Sequence, residues 1–165
     1  MKHIKEVVST ILIGAMLMPL AGCSKKIEPI KAKEFKKAIE LVFDDDEYSS
    51  YGDIIYVDDD NYMIMYRKAD DEDDAEDAWE DLLDDYEDMV DDKKFDGRTR
   101  LVEGDGYGYI LLNGDSSDKG FGKGYYYGGI YYVEDMVIAI VTTKDKDANR
   151  DNINTILREL GLPRP

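Results

Sequence analysis

The chain has 165 residues and a formal net charge of −17, with 38 acidic side chains against 21 basic ones. That balance repels nucleic-acid phosphates and anionic headgroups, so nucleic-acid binding is excluded, and positive peptides, basic protein surfaces and divalent cations remain as partners. The only cysteine is Cys23 and the only histidine is His3, so no internal disulfide can form.

The first residues read as a processing segment. Lys2 and Lys5 make a positive start, and Val7 to Leu20 is an apolar run too short for a good membrane span. Leu20-Ala21-Gly22-Cys23 follows, and it resembles the lipobox of bacterial lipoprotein signal peptides. That resemblance implies cleavage after Gly22, a lipid thioether on Cys23, and a mature protein held at the extracytoplasmic face of the cell membrane. Small side chains at Ala21 and Gly22 let a peptidase reach the bond, and the Cys23 thiol is the nucleophile that lipidation needs. Glu6 is unusual in such a start. Residues 1–22 carry a charge of +1, so the mature chain of 143 residues stands at −18 and is one ordinary domain.

Residues 23–30 read as the lipidated cysteine and a tether, and residues 31–162 as the domain. Lys25 and Lys26 would sit against anionic headgroups. Lys31 to Phe43 has Phe35, Ala38, Ile39, Val42 and Phe43 at helical spacing. Ile54 to Val57 and Tyr62 to Arg67 read as two strands joined by the turn Asp58 to Asn61.

Asp70 to Asp92 holds fifteen acids in twenty-three positions and no base, yet Ala75, Ala78, Trp79, Leu82, Leu83, Tyr86 and Met89 trace one helical face. An acidic amphipathic helix explains both, with Asp73 or Asp74 as its cap. The stripe Asp77, Asp81, Asp84 and Asp88 is then a candidate cation face, to be set against a plain solvated face.

Thr99 to Glu103 and Tyr107 to Leu112 are candidate strands, and Asn113 to Gly124 is a polar, glycine-rich loop. Gly124 to Val133 and Met136 to Thr143 are strong strands around a two-residue turn. Asn149 to Leu160 is a last helix, capped by Asp145 or Asp147 and ended by Gly161 and Pro163. The expected fold is α+β: an antiparallel sheet of about five strands, order α-β-β-α-β-β-β-α, with three helices packed on one face.

The helix around Ala32-Lys33-Glu34-Phe35-Lys36-Lys37, the segment Asp73 to Trp79 after a hairpin, and the ending Ile153 to Leu162 together resemble small, uncharacterised lipoproteins of Gram-positive anaerobic bacteria. The resemblance implies an acidic α+β domain at the cell envelope. It implies no activity.

No chemical motif points to catalysis. A mature chain without histidine or a free thiol has no Ser-His-Asp, Cys-His or His-ligated zinc chemistry. A carboxylate pair of the glycosidase kind is open by residue type alone. The aspartate runs at 44–47 and 58–60 do not continue with the alternating oxygen ligands, the glycine and the distal glutamate of an EF-hand loop, and 115–118 reads only as a loop. Gly104 to Gly108 and Gly120 to Gly124 lead into strands, whereas phosphate cradles open onto helices, so they read as turns. No cofactor or metal site is expected.

The tyrosines carry the binding expectation. Five of the thirteen fall between Tyr125 and Tyr132. Strand alternation puts Tyr126 and Tyr132 on one face and Tyr125, Tyr127 and Tyr131 on the other, unless Gly128 and Gly129 shift the phase. The second set is the candidate exposed strip for a protein or an envelope polymer. The bland alternative is that tyrosine is simply a good strand former. The leading expectation is a non-enzymatic binding lipoprotein; the alternatives are a divalent-cation or polycation sink and, last, a carboxylate enzyme.

Overall fold

The structure is a computed structural model and describes residues 26–165. Gly22 and Cys23, the expected cleavage and lipidation points, lie outside the described residues. Helix α1 spans Ala32–Ile39, and its first N–H groups are helped by Glu34, whose Oε2 accepts from the Lys31 N–H at 3.1 Å. A three-strand meander follows: β1 Tyr48–Tyr51, β2 Ile54–Val57 and β3 Tyr62–Lys68. Helix α2, Glu72–Asp91, crosses to a four-strand meander of β4 Phe95–Gly104, β5 Tyr107–Ser116, β6 Gly124–Val133 and β7 Met136–Thr142, and helix α3, Asp147–Glu159, closes the chain.

All seven strands form one antiparallel sheet in the order β1-β2-β3-β7-β6-β5-β4. The two meanders meet along β3 and β7, where Ile64 faces Ile140 and Met65 faces Ala139. The α+β class is as expected, but the sheet has seven strands where about five were expected. Tyr48–Tyr51 pairs with β2 although its serine pair offers little apolar signal, and β4 and β5 run to ten residues each, well past the candidate segments.

The expected placement of three helices on one face is also corrected: the sheet is covered on both sides. Phe35, Ala38 and Ile39 of α1 and Ile153, Ile156 and Leu157 of α3 pack with Ile64, Tyr66, Tyr131, Ile138 and Ile140. Ala75, Trp79, Tyr86 and Met89 of α2 pack with Ile110, Leu112, Tyr132, Ala139 and Val141 on the opposite side. The reason is in the central strands. Successive residues such as Leu111 and Leu112, Tyr131 and Tyr132, or Ile140 and Val141 are all buried, so β5 to β7 present apolar side chains to both faces. A sheet greasy on both sides needs a layer on each.

Glycines let those layers close. A Cβ on Gly108 would come within 2.6 Å of the Trp79 ring, so the indole lies directly on the strand, stacked on Tyr132 at 5.9 Å. Gly128 has φ +144°, and a Cβ there would strike the Ile140 carbonyl of the neighbouring strand. Neither Gly128 nor Gly129 shifts the phase of β6: the register runs unbroken from Tyr127 opposite Thr142 to Val133 opposite Met136.

Three local expectations change. Helix α2 is capped by Asp71, whose Oδ1 accepts from the Asp74 N–H at 3.0 Å, rather than by Asp73 or Asp74. Helix α3 has Lys146 at its N-cap with no side-chain cap; Asp145 and Asp147 instead bind the Arg150 guanidinium. The tether is shorter than residues 23–30, because Ile27 and Ile30 are buried in the core under α1 and α3.

Candidate functional site

The expected tyrosine strip is not an exposed face. Tyr125, Tyr127 and Tyr131 do share one side of β6, but that side lies under α3. The Tyr131 ring is fully buried and its hydroxyl donates to the Pro163 carbonyl at 2.6 Å. The half-buried Tyr127 donates to Asn154 Oδ1 at 3.1 Å, and the Tyr125 hydroxyl accepts from Arg150 at 3.2 Å. Burial pushes the Tyr131 phenol well above its ordinary pKa. These rings hold α3 and the C-terminal tail to the sheet.

The acidic stripe is where it was expected. Asp77, Asp81, Asp84 and Asp88 are all exposed on the solvent side of α2. Among the described residues no group of three or more His, Cys, Asp or Glu side chains is arranged to hold a metal ion. The stripe is a surface charge and not a cage.

An open aromatic surface exists elsewhere on the sheet. Helix α2 covers the β4 to β7 part of its side and leaves the β1 to β3 part bare. Register places Tyr51, Ile54 and Arg67 in one row there and Ser49, Tyr56 and Met65 in the next, with Met63 beyond. Tyr51 is 69% exposed, Ile54 38% and Met63 37%. The Tyr51 and Tyr56 rings stack at 6.4 Å. Acids stand at the ends of these strands: Asp53 in the β1–β2 turn, Asp58 to Asp60 in the next, and Asp70 and Asp71 before α2. The alternation of Ile54 with Tyr56 and of Met63 with Met65 was the available signal for this face. The sequence does not say which side of the hairpin α2 would leave uncovered.

No protein-family model matches the chain, and neither a curated protein nor a solved structure is significantly similar to it. Function therefore rests on surfaces.

The loop between β5 and β6 is built around one carboxylate. Asp118 is buried beside Lys94 at 2.8 Å and accepts the Phe121 N–H at 2.9 Å. The Lys94 ammonium, with that N–H, holds the Asp118 carboxyl down at about 2. Phe121 then packs against Tyr86 and Tyr126. These contacts pin the loop to β4 and α2.

The opposite edge of the sheet carries a cleft. Arg98 and Arg100, two residues apart on β4, share the α3 side of the sheet with their register partners Asn113 and Leu111. Arg158 comes from the last turn of α3, and Arg164 from the tail. Two adjoining cavities of about 810 and 330 Å³ lie between them, both lined by Arg100, Arg164 and Pro165. Tyr109, Asn154 and Asp151 complete the larger one. The Arg98 and Arg100 spacing was readable from the sequence, but nothing there brings Arg158 and Arg164 to the same place.

Proposed function

We propose that this chain is a lipoprotein held at the extracytoplasmic face of the membrane by lipid on Cys23, and that it binds a partner protein without catalysing a reaction. The uncovered face of β1 to β3 is the docking surface, and the exposure of Tyr51, Ile54 and Met63 on one flat side is the observation that carries the reading. Contiguous apolar surface ringed by polar groups is typical of a docking site, and aromatic side chains anchor such sites at small entropic cost. The acids at the strand ends favour a partner with an apolar centre and basic margins. Membrane attachment is supported by the Leu20 to Cys23 sequence; among the described residues no helix is long and apolar enough to cross a membrane.

A photo-crosslinking amino acid in place of Tyr51 tests the docking face in living cells, with the same group in place of Glu159 as a remote control. A discrete adduct from position 51 that disappears in an Ile54→Ser, Met63→Ser background is expected. An adduct of twice the chain mass would make the partner a second copy. Equal labelling from both positions, or none, would refute the docking face. Intact mass of the membrane-bound chain tests the lipid on Cys23 separately.

A further inference from the structure

We propose that the cleft lined by Arg98, Arg100, Arg158 and Arg164 binds the phosphates of anionic lipid headgroups in the membrane to which the chain is tethered. The proposal rests on the lipoprotein reading for its choice of ligand source.

Charge distribution is the first argument. The chain has six arginines and a net charge of −17, yet four of the six line these two joined cavities. Of the other two arginines, Arg150 is paired with Asp145 and Asp147, while Arg67 stands on the exposed face of β3. Among the described residues none of the four cleft arginines makes an ion pair within 4.0 Å, although Asp151 lines the larger cavity. Planar guanidinium groups present paired N–H donors that match phosphate oxygens. Four of them around two adjoining cavities concentrate positive charge on a chain whose net charge is strongly negative.

The second argument is rigidity. Arg98 and Arg100 stand on a strand paired along ten residues, and Arg158 on a helix bedded by Ile156 and Leu157. Arg164 would be loose in a free tail. Here Tyr131 donates to the Pro163 carbonyl and Leu162 is buried, so the tail is fastened one residue away on the arginine's N-terminal side.

The third argument is position. Gly161, Leu162 and Pro163 form one wall of the arginine cleft and, on their other side, line a cavity shared with Lys26, Ile27, Pro29 and Ile30. Lys26 is three residues from Cys23, a reach of at most about 11 Å. Lipid on Cys23 therefore sets this edge of the domain at headgroup depth, and the acidic helix α2 lies on the other side of the sheet. A domain of charge −18 is repelled as a whole by an anionic bilayer. Glu28 and Glu34 also line the cavity beside the tether, but the four arginines outnumber them, and a basic cleft at this edge would orient the domain with the acidic helix α2 pointing away.

The test uses the full chain, purified with its lipid and reconstituted into vesicles of phosphatidylcholine alone or with phosphatidylglycerol. Hydrogen exchange is followed at the amides of residues 98–100, 158–162 and 164. Slower exchange in the phosphatidylglycerol vesicles is expected, with the protection falling about fivefold for each of Arg100→Gln, Arg158→Gln and Arg164→Gln. These side chains are exposed, so the variants keep the fold, which circular dichroism checks. Equal exchange in the two vesicle types would overturn the proposal. Protection by added inorganic polyphosphate but not by phosphatidylglycerol would also overturn it, in favour of a free phosphate polymer. Intact mass without a lipid adduct on Cys23 would sink the lipoprotein reading instead, and phosphatidylglycerol vesicles added to that chain still report on the cleft.

Discussion

Helix α2 makes a quantitative case for how much unpaired charge the domain carries. Asp77 and Asp81 are four residues apart on its exposed side, as are Asp84 and Asp88, and the helix has no basic residue in its last turn. Each like-charge pair costs about 0.2–0.5 kcal/mol, and an acid four residues before a lysine stabilises by a similar amount. Changing Asp81→Lys and Asp88→Lys therefore turns two repulsions into two attractions, a gain of about 0.4–1 kcal/mol per pair. A lysine at position 88 also meets the negative end of the helix dipole, adding about 0.3–1 kcal/mol. The double variant is expected to gain about 1–3 kcal/mol in urea unfolding at low salt, or about 3–10 °C in Tm for a domain of this size. The gain should fall by more than half near 1 M salt, where the screening length drops to about 3 Å. A gain that ignores salt, or no gain at low salt, would refute the view that the stripe is solvated and mutually repelling. In that case a bound cation already neutralises it, and calorimetry with calcium on the parent chain would show the heat.

Two further outcomes follow from buried groups. The Asp118 carboxyl is held at about 2, below its ordinary value of 3.8, so it favours the folded state above about pH 4 and that contribution fades as pH falls towards 2. Asp118→Asn should be less stable at neutral pH and should lose this part of the acid-unfolding slope; an unchanged slope would show that Lys94 does not hold the carboxylate. Tyr131→Phe keeps the buried ring and deletes only the bond to Pro163, so a loss of about 0.5–1.5 kcal/mol is expected in thermal unfolding. Faster exchange of the Arg164 amide should accompany it, and a stability loss with no change at the tail would disprove the anchoring role.

Much of the fold was legible because its signals are local. The apolar stripe from Ala75 to Met89 specified α2 despite fifteen acids between Asp70 and Asp92, since burying Trp79, Tyr86 and Met89 outweighs a few weak repulsions. Period-two alternation correctly paired Tyr126 with Tyr132 and Tyr127 with Tyr131 on opposite sides of β6. Strand β1 was not legible, because Tyr-Ser-Ser-Tyr acquires its structure from β2 and has little apolar pattern of its own.

The sequence alone determined an α+β class and a strongly acidic composition, and it is the source of the proposed export and lipidation signal ending at Cys23. These depend on residue identity and short-range spacing. Only the tertiary structure decided which surfaces are open. It put α1 and α3 on one side of the sheet and α2 on the other, because β5 to β7 are apolar on both faces. That buried Tyr126, Tyr131 and Tyr132 of β6, half-covered Tyr125 and Tyr127, and left Tyr51 and Ile54 bare. It also brought Arg98 and Arg100 to Arg158 and Arg164, more than fifty residues away along the chain. Exposure depends on what packs over a strand, and convergence on where the chain returns; neither is encoded in any one segment.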